Sequence, residues 1–201
     1  MEDTFKTISK PSQEVLHKDR KSKFFGYAFP LSKEDEVKSI LDTLRKKHPT
    51  ANHVCYAWQL GVESVKYRAN DDGEPNNSAG MPIYGQIQSF GVTNVLVAVV
   101  RIFGGVKLGV GGLIQAYREG ARLALETSEI VERVEYAKID LIFEYPGMNK
   151  VMRILKQHQI HILSQKMELN CELKISVQKS KADKMIEIFQ EVQGITVNKP
   201  N

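Results

Sequence analysis

Cysteine and histidine are scarce in this 201-residue chain, and their spacing excludes two common kinds of stabilised or metal-bound protein. The two cysteines, Cys55 and Cys171, lie far apart in separate strand-like segments, which argues against a disulfide framework. No cysteine or histidine recurs at the spacing of zinc ligands, so we predict no bound metal. Both thiols are expected to be reduced and buried, as is typical of cytoplasmic proteins.

Long apolar runs are also lacking. No stretch reaches the roughly 18 residues that a membrane-spanning helix needs, and the N-terminal MEDTFKTISK contains no apolar signal core. We therefore expect a cytoplasmic protein with no membrane partner. The net charge of +4, from 28 basic and 24 acidic side chains, permits an RNA or ribosome partner, while sequence-specific DNA binding is not expected.

Familiar catalytic and nucleotide-binding motifs are missing as well. The chain has no G-x-S-x-G nucleophile elbow, no H-E-x-x-H helix, no P-loop and no G-x-G-x-x-G fingerprint. No nucleophile with an orienting base can be identified, so the sequence leaves open whether the protein is an enzyme.

Glycine, by contrast, is concentrated in one segment that we call the Gly-rich loop, residues 104–112. An unbroken apolar run, Val95 to Val100, precedes it and predicts a strand buried on both faces. A helical pattern from Leu113 to Leu125 follows it. The candidate anion-binding residues of this segment are Arg101, Gly104, Gly105, Lys107, Gly109, Gly111 and Gly112.

Two interpretations of the Gly-rich loop are open. Exposed backbone N–H groups beside a helix start and one lysine can bind an anion, most plausibly a phosphate. The glycines can instead serve only to make a tight turn and to let the helix approach the sheet.

Residues 70–82 (NDDGEPNNSAGMP) form a second polar segment, which we call the carboxylate loop. Asp71, Asp72 and Glu74 are candidate catalytic residues, because three carboxylates within four positions can bind Mg²⁺ or transfer protons. They can equally cap the next helix or form a solvated turn. The residues predicted to support the two loops are Gly73, Pro75, Ser78, Gly80 and Tyr117.

From Tyr136 onwards the pattern alternates strands and helices in the order βαββαβ, which predicts a ferredoxin-like domain. His158 and His161 are isolated histidines of this region and are expected at the surface or at helix ends rather than as ligands. Nothing in it indicates catalysis, so we interpret it as a binding or regulatory module.

Both loops resemble signatures of the IMPACT family, and of its bacterial, YigZ-type members in particular. The segment from Arg101 to Tyr117 resembles the family pattern R-aromatic-F-G-G-x-K-L-G followed by G-G-L-x-x-A-Y, with Ile102 in place of the aromatic residue. The carboxylate loop resembles D-D-G-E-P followed by G-T-A-G-x-P, with Asn77 replacing a glycine and Ser78 a threonine. The motifs occur in the family's order.

This resemblance implies an α+β protein of two domains. Residues 1–134 would form the IMPACT/YigZ N-terminal domain, a ribosomal protein S-five domain-two-like mixed sheet with helices. Residues 135–201 would form the ferredoxin-like C-terminal domain. The same superfamily includes domain IV of elongation factor G, and eukaryotic IMPACT proteins act in translational control through an additional N-terminal domain, a role not carried over here.

Two functions are weighed. The first is a translation-associated RNA- or ribosome-binding regulatory protein that recognises phosphate through the Gly-rich loop. The alternative is an enzyme acting on a phosphorylated or nucleotide ligand, in which the Gly-rich loop binds phosphate and the carboxylate loop binds Mg²⁺ or moves protons. If the protein is an RNA- or ribosome-binding regulator, we expect no cofactor. If it is an enzyme, both loops must line one pocket.

Overall fold

The computed structural model describes residues 3–199 and confirms the α+β class, with five α-helices and eleven strands among those residues. The chain divides into two compact units. One spans Phe5–Arg133, and the other comprises the chain from Val134 onwards together with the N-terminal residues up to Thr4. The limits 1–134 and 135–201 stay a prediction of domain boundaries.

A five-stranded sheet forms the centre of the first unit, with the strand order β2-β3-β6-β4-β5. Its strands are β2 (Val15–Asp19), β3 (Ser22–Pro30), β4 (His53–Leu60), β5 (Lys66–Asn70) and β6 (Val95–Ile102). Every pairing is antiparallel, rather than the mixed sheet expected. Strands β3 and β4 run parallel to each other, but β6 lies between them and is antiparallel to both. The other neighbours, β2 with β3 and β4 with β5, are hairpins and are therefore antiparallel. Two further strands, β1 (Thr4–Ile8) and β7 (Ile130–Val134), pair separately.

Strand β6 is buried on both faces, as its apolar sequence predicts. Val95, Val97 and Val99 belong to the core on one side of the sheet, and Leu96 and Val100 belong to the core on the other side. A strand covered on both faces favours apolar side chains at consecutive positions, which explains the continuous run from Val95 to Val100.

Three helices provide the cover, namely α1 (Glu36–Lys47), α2 (Gly80–Ser89) and α3 (Gly109–Glu126). Helix α1 packs through Val37 and Leu44 on one face, and α2 and α3 pack together on the other. Helix α3 begins four residues before the predicted start at Leu113, so Gly109, Gly111 and Gly112 are its first turn. The apolar pattern could not locate this turn, because glycines carry no side chains to form a stripe.

The second unit confirms the ferredoxin-like prediction. Its elements are β8 (Tyr136–Phe143), α4 (Met148–Gln157), β9 (His161–Met167), β10 (Cys171–Gln178), α5 (Ala182–Gln190) and β11 (Ile195–Asn198). The antiparallel sheet has the order β11-β8-β10-β9, the split arrangement of that fold. Alternate strand residues such as Ile139, Leu141 and Leu173 pack against the two helices.

Both cysteines are buried thiols without a disulfide, as predicted. Across residues 3–199, no helix combines the length and the apolar character needed to cross a membrane.

The contact between α3 and the sheet depends on Gly26 of β3. A methyl group at Gly26 would lie 2.2 Å from the backbone oxygen of Gly120 in α3, so Gly26→Ala must push the helix away from the sheet. We expect it to lower the free energy of unfolding in urea by about 1–3 kcal/mol. Gly85→Ala is the control, because nothing lies within 4 Å of the added methyl, and alanine in a helix is favourable by roughly 0.5–1 kcal/mol. Equal effects of the two substitutions would contradict this packing.

Candidate functional site

The Gly-rich loop leads from the end of β6 into the first turn of α3. Gly105 and Gly109 have φ angles of 85° and 74°, a region that favours glycine. The loop is exposed at Gly105, Lys107 and Gly109, so side chains do not roof it. No side chain caps the first turn of α3, whose N-cap residue is Leu108. The N–H groups of that turn are therefore available to an anion.

Lys107 supplies the only charge within this loop. Its side chain is exposed, and within the described range 3–199 no carboxylate forms an ion pair with it. A free ammonium group beside an uncapped helix start favours anion binding.

The loop also packs directly on the hairpin formed by β2 and β3. We call residues 18–23, which comprise its two-residue turn and the adjoining strand ends, the basic turn. The N–H of Gly104 donates to Ser22 Oγ at 3.2 Å. A methyl group at Gly104 would lie 2.1 Å from the Lys21 carbonyl, so only glycine allows this approach. The exposed residues Arg20, Lys21 and Lys23 thus lie on a turn fixed against the loop.

The carboxylate of Asp71 has a structural role in the carboxylate loop. It accepts hydrogen bonds from the backbone N–H groups of Asn77 at 2.9 Å, Ala79 at 3.0 Å and Gly80 at 2.8 Å, and thereby caps the start of α2. Asn77 has a φ of 61°, a left-handed conformation that asparagine tolerates better than most residues.

Asp72 is likewise engaged in local structure. Its Oδ2 accepts from the Val54 N–H at 2.7 Å, and the Arg45 guanidinium donates to Oδ1 at 3.0 Å. The two aspartates therefore hold the loop against β4, α1 and α2. In the described part of the chain, no three His, Cys, Asp or Glu side chains are grouped as a metal site.

Glu74 differs from both aspartates because it is buried in an ion pair. Arg101 of β6 donates to its Oε1 at 2.6 Å, and the Tyr117 hydroxyl of α3 donates to the same oxygen at 2.7 Å. Burial raises the pKa of Tyr117, and its neighbours Cys55 and Glu74 raise it further, so the hydroxyl remains a donor. This network ties the carboxylate loop to the strand and the helix that flank the Gly-rich loop.

Arg101 is 6 % exposed, so it is part of this buried network rather than of the surface. Its guanidinium carbon lies 5.5 Å from the ring centre of Phe24 and 5.4 Å from that of Phe103. Its Nε is buried and has no hydrogen-bond partner among residues 3–199. Both rings hold the guanidinium in place by cation–π contact.

His53, at the start of β4, was not identified as a site residue from the sequence. Its Nδ1 lies 2.8 Å from the backbone oxygen of Asp72. A carbonyl oxygen only accepts, so Nδ1 carries the proton and Nε2 of the neutral ring is an acceptor. That Nε2 is 3.9 Å from Glu74 Oε1, beyond hydrogen-bond distance.

Both loops line one cavity of about 430 Å³. Its polar lining comes from Asn52, His53, Glu74, Arg101 and Lys107, and its apolar lining comes from Pro75, Phe103, Leu108, Val110 and Leu113, with Gly109 between them. Of the three candidate carboxylates, only Glu74 reaches this cavity. His53 also lines the cavity. The strand pattern of residues 53–60 did not indicate that the ring of His53 would lie there.

The remaining predicted residues lie around this cavity in supporting positions. Ser78 donates from its hydroxyl to the Pro75 carbonyl at 2.6 Å, which closes the carboxylate loop. Gly80 approaches Asn70 so closely that a methyl group at Gly80 would lie 2.5 Å from the Asn70 backbone nitrogen. Gly73 has a φ of 89°, consistent with the turn.

The region that carries this site matches the Impact N-terminal domain over residues 20–125. The chain belongs to the IMPACT family. All the residues that line the cavity fall within the matched range.

Relatives of similar length occur in several bacteria. The IMPACT family member of Haemophilus influenzae is 31% identical over 183 residues, covering 89% of this chain and 87% of the relative. The IMPACT family member YigZ of Escherichia coli is 32% identical over 145 residues, covering 71% of each. A solved structure described as a hypothetical protein superimposes with a TM-score of 0.72 at 24% identity, over 100% of this chain and 98% of the other, which supports the fold.

The buried network predicts a strong dependence of stability on Glu74. Glu74→Ala leaves the Arg101 charge buried without its partner, so we expect the free energy of unfolding to fall by about 3–5 kcal/mol in urea titrations. Glu126→Ala is the control, because its ion pair with Arg122 is exposed and contributes about 0–1 kcal/mol. A loss at Glu74 no larger than that of the control would contradict a buried ion pair.

Proposed function

We propose that the protein is a cytoplasmic, translation-associated factor that binds RNA or the ribosome through the phosphate backbone. The observation that carries this proposal is the junction of the Gly-rich loop with the basic turn. Gly104 packs on the basic turn, and Lys107 and the uncapped first turn of α3 follow Gly104 within the next eight residues of the chain. A polynucleotide backbone offers a row of phosphates that such a surface can contact.

The geometry of the basic turn supports the same proposal. Arg20 and Lys21 have φ angles of 42° and 67°, the positive values that a two-residue hairpin turn between the paired residues Asp19 and Ser22 requires. The turn presents both exposed side chains at the tip of the hairpin. Cationic side chains at both positions fit a contact with phosphate.

Membership of the IMPACT family, whose superfamily includes domain IV of elongation factor G, supports a general role in translation. The net charge of +4 is compatible with an RNA partner, and the exposed cations Lys107, Arg20, Lys21 and Lys23 are concentrated near the Gly-rich loop. We place binding ahead of catalysis because Asp71 and Asp72 are engaged in capping and ion pairing, and Glu74 is paired with Arg101.

Binding through phosphates predicts a steep dependence on salt. With a single-stranded oligouridylate as the probe, the affinity should fall linearly on a log–log plot against salt concentration. Lys107→Ala should weaken binding and reduce the slope by about 0.7, the value for one lost phosphate contact on a single strand. Fluorescence anisotropy across a salt series measures both quantities.

Lys33→Ala is the matched control, since it removes the same charge from an exposed position outside the two loops. The dependence of log affinity on log salt concentration should have the same slope for Lys33→Ala as for the unchanged protein. Co-sedimentation with ribosomes should weaken with salt and with Lys107→Ala in parallel. The proposal fails when no RNA or ribosome binding is detected at low salt, or when the two lysine variants have the same slope.

A further inference from the structure

The cavity beside the Gly-rich loop is larger and more apolar than phosphate contact requires. Its volume of about 430 Å³ lies in the range of roughly 300–1,000 Å³ that is typical of small-molecule sites. Phe103 is 42% exposed and Val110 is 53% exposed, although both are large apolar side chains at its rim. A surface that contacted only the backbone of a nucleic acid would gain nothing from them.

We propose that this cavity is a subsite for one unstacked nucleotide of single-stranded RNA, recognised as a ribonucleotide. The inference rests on the proposed function and makes it more specific. The base lies against the apolar wall, the phosphate meets Lys107 and the start of α3, and the sugar faces His53. Unpaired bases bind proteins by stacking on aromatic rings, whereas a paired duplex offers no free base.

Phe103 is prepared for such stacking by its neighbour. One face of its ring lies over the Arg101 guanidinium, which is itself fixed by Glu74 at 2.6 Å. The backbone N–H of Phe103 donates to Asn52 Oδ1 at 2.8 Å, which anchors the residue that carries the ring. The exposed part of the ring is therefore already positioned before a base arrives, which lowers the entropic cost of binding.

The polar groups of the cavity complement a sugar and a base. Asn52 Oδ1 must be an acceptor because a backbone N–H only donates, so the other end of the amide is an NH₂ donor. His53 offers the opposite character, since its protonated Nδ1 faces the Asp72 carbonyl and leaves Nε2 as an acceptor. Within residues 3–199 neither Asn52 Nδ2 nor His53 Nε2 has a hydrogen-bond partner.

A free acceptor in this position distinguishes RNA from DNA. The 2′-hydroxyl of a ribose is a donor that a deoxyribose lacks, so Nε2 of the uncharged ring can accept a hydrogen bond from the ribose but not from a deoxyribose in the same position. Arg101 is not available for this task, because it is buried and paired with Glu74. The selectivity for ribose is therefore assigned to His53, and the affinity for the base to Phe103.

The first test fills the cavity without altering charge. Val110→Trp places an indole at the rim of the cavity, and Val65→Trp places the same group at an exposed position outside both loops, where Val65 is 45% exposed. We expect Val110→Trp to weaken binding of the full-length chain to oligouridylate at least tenfold with an unchanged salt slope. Val65→Trp should change the affinity less than twofold.

The second test compares oligouridylate with oligodeoxyuridylate, probes that differ only in the 2′-hydroxyl. The unchanged protein should prefer the ribose probe at least fivefold, and His53→Leu should reduce this preference to less than twofold, because the ribose probe loses more affinity than the deoxy probe. If His53 had only a structural role, His53→Leu would lower the affinity for both probes equally. Thermal unfolding of each variant establishes that the fold is intact.

The outcomes separate this inference from the proposed function. Salt-dependent binding that is lost with Lys107→Ala but is insensitive to Val110→Trp and equal for both probes overturns the nucleotide subsite and leaves backbone binding intact. Absence of any RNA binding overturns both. Equal loss with the two tryptophan variants shows that the effect does not come from the cavity and also overturns the subsite.

Discussion

The buried ion pair between Glu74 and Arg101 is the interaction on which the rest of the site depends. Glu74 comes from the carboxylate loop, Arg101 from β6, and Tyr117 of α3 donates to the same Glu74 oxygen at 2.7 Å. Three segments distant in sequence are thereby fixed around the mouth of the Gly-rich loop. Such a pair offsets its desolvation only with good geometry and further hydrogen bonds, and the Tyr117 hydroxyl supplies one such bond to Glu74. Its consequence is a rigid wall that carries Phe103 over the guanidinium.

The two aspartates of the carboxylate loop fix the same loop to its other neighbours. Asp71 accepts three backbone N–H groups at the start of α2, and Asp72 joins β4 to Arg45 of α1. The D-D-G-E-P segment is therefore a structural support in which two carboxylates hold the loop and the third faces the cavity. A glycine at position 104 then brings the basic turn against the start of the Gly-rich loop.

Most of the fold could be predicted because it follows from local patterns. The apolar run Val95–Val100 specified a doubly buried strand, and the period-two and helical repeats after Tyr136 specified the ferredoxin-like order. The start of α3 could not be located, since Gly109, Gly111 and Gly112 carry no pattern. The sequence also left equal weight on Asp71, Asp72 and Glu74, because which carboxylate is buried depends on Arg101 and Tyr117, 27 and 43 residues further along the chain. His53 was missed for the same reason, as its role depends on the Asp72 carbonyl.

The central claim is that the free N–H groups at the start of α3, together with the adjoining cavity, form the ligand-binding surface. The most direct measurement is a two-dimensional amide NMR titration of the isotope-labelled protein with single-stranded RNA. The account predicts that the largest shifts occur at Gly105 to Gly112, at Phe103 and in the basic turn, with the amides of β8 to β11 unchanged. Shifts confined to the ferredoxin-like sheet, with the Gly-rich loop unaffected, would contradict it.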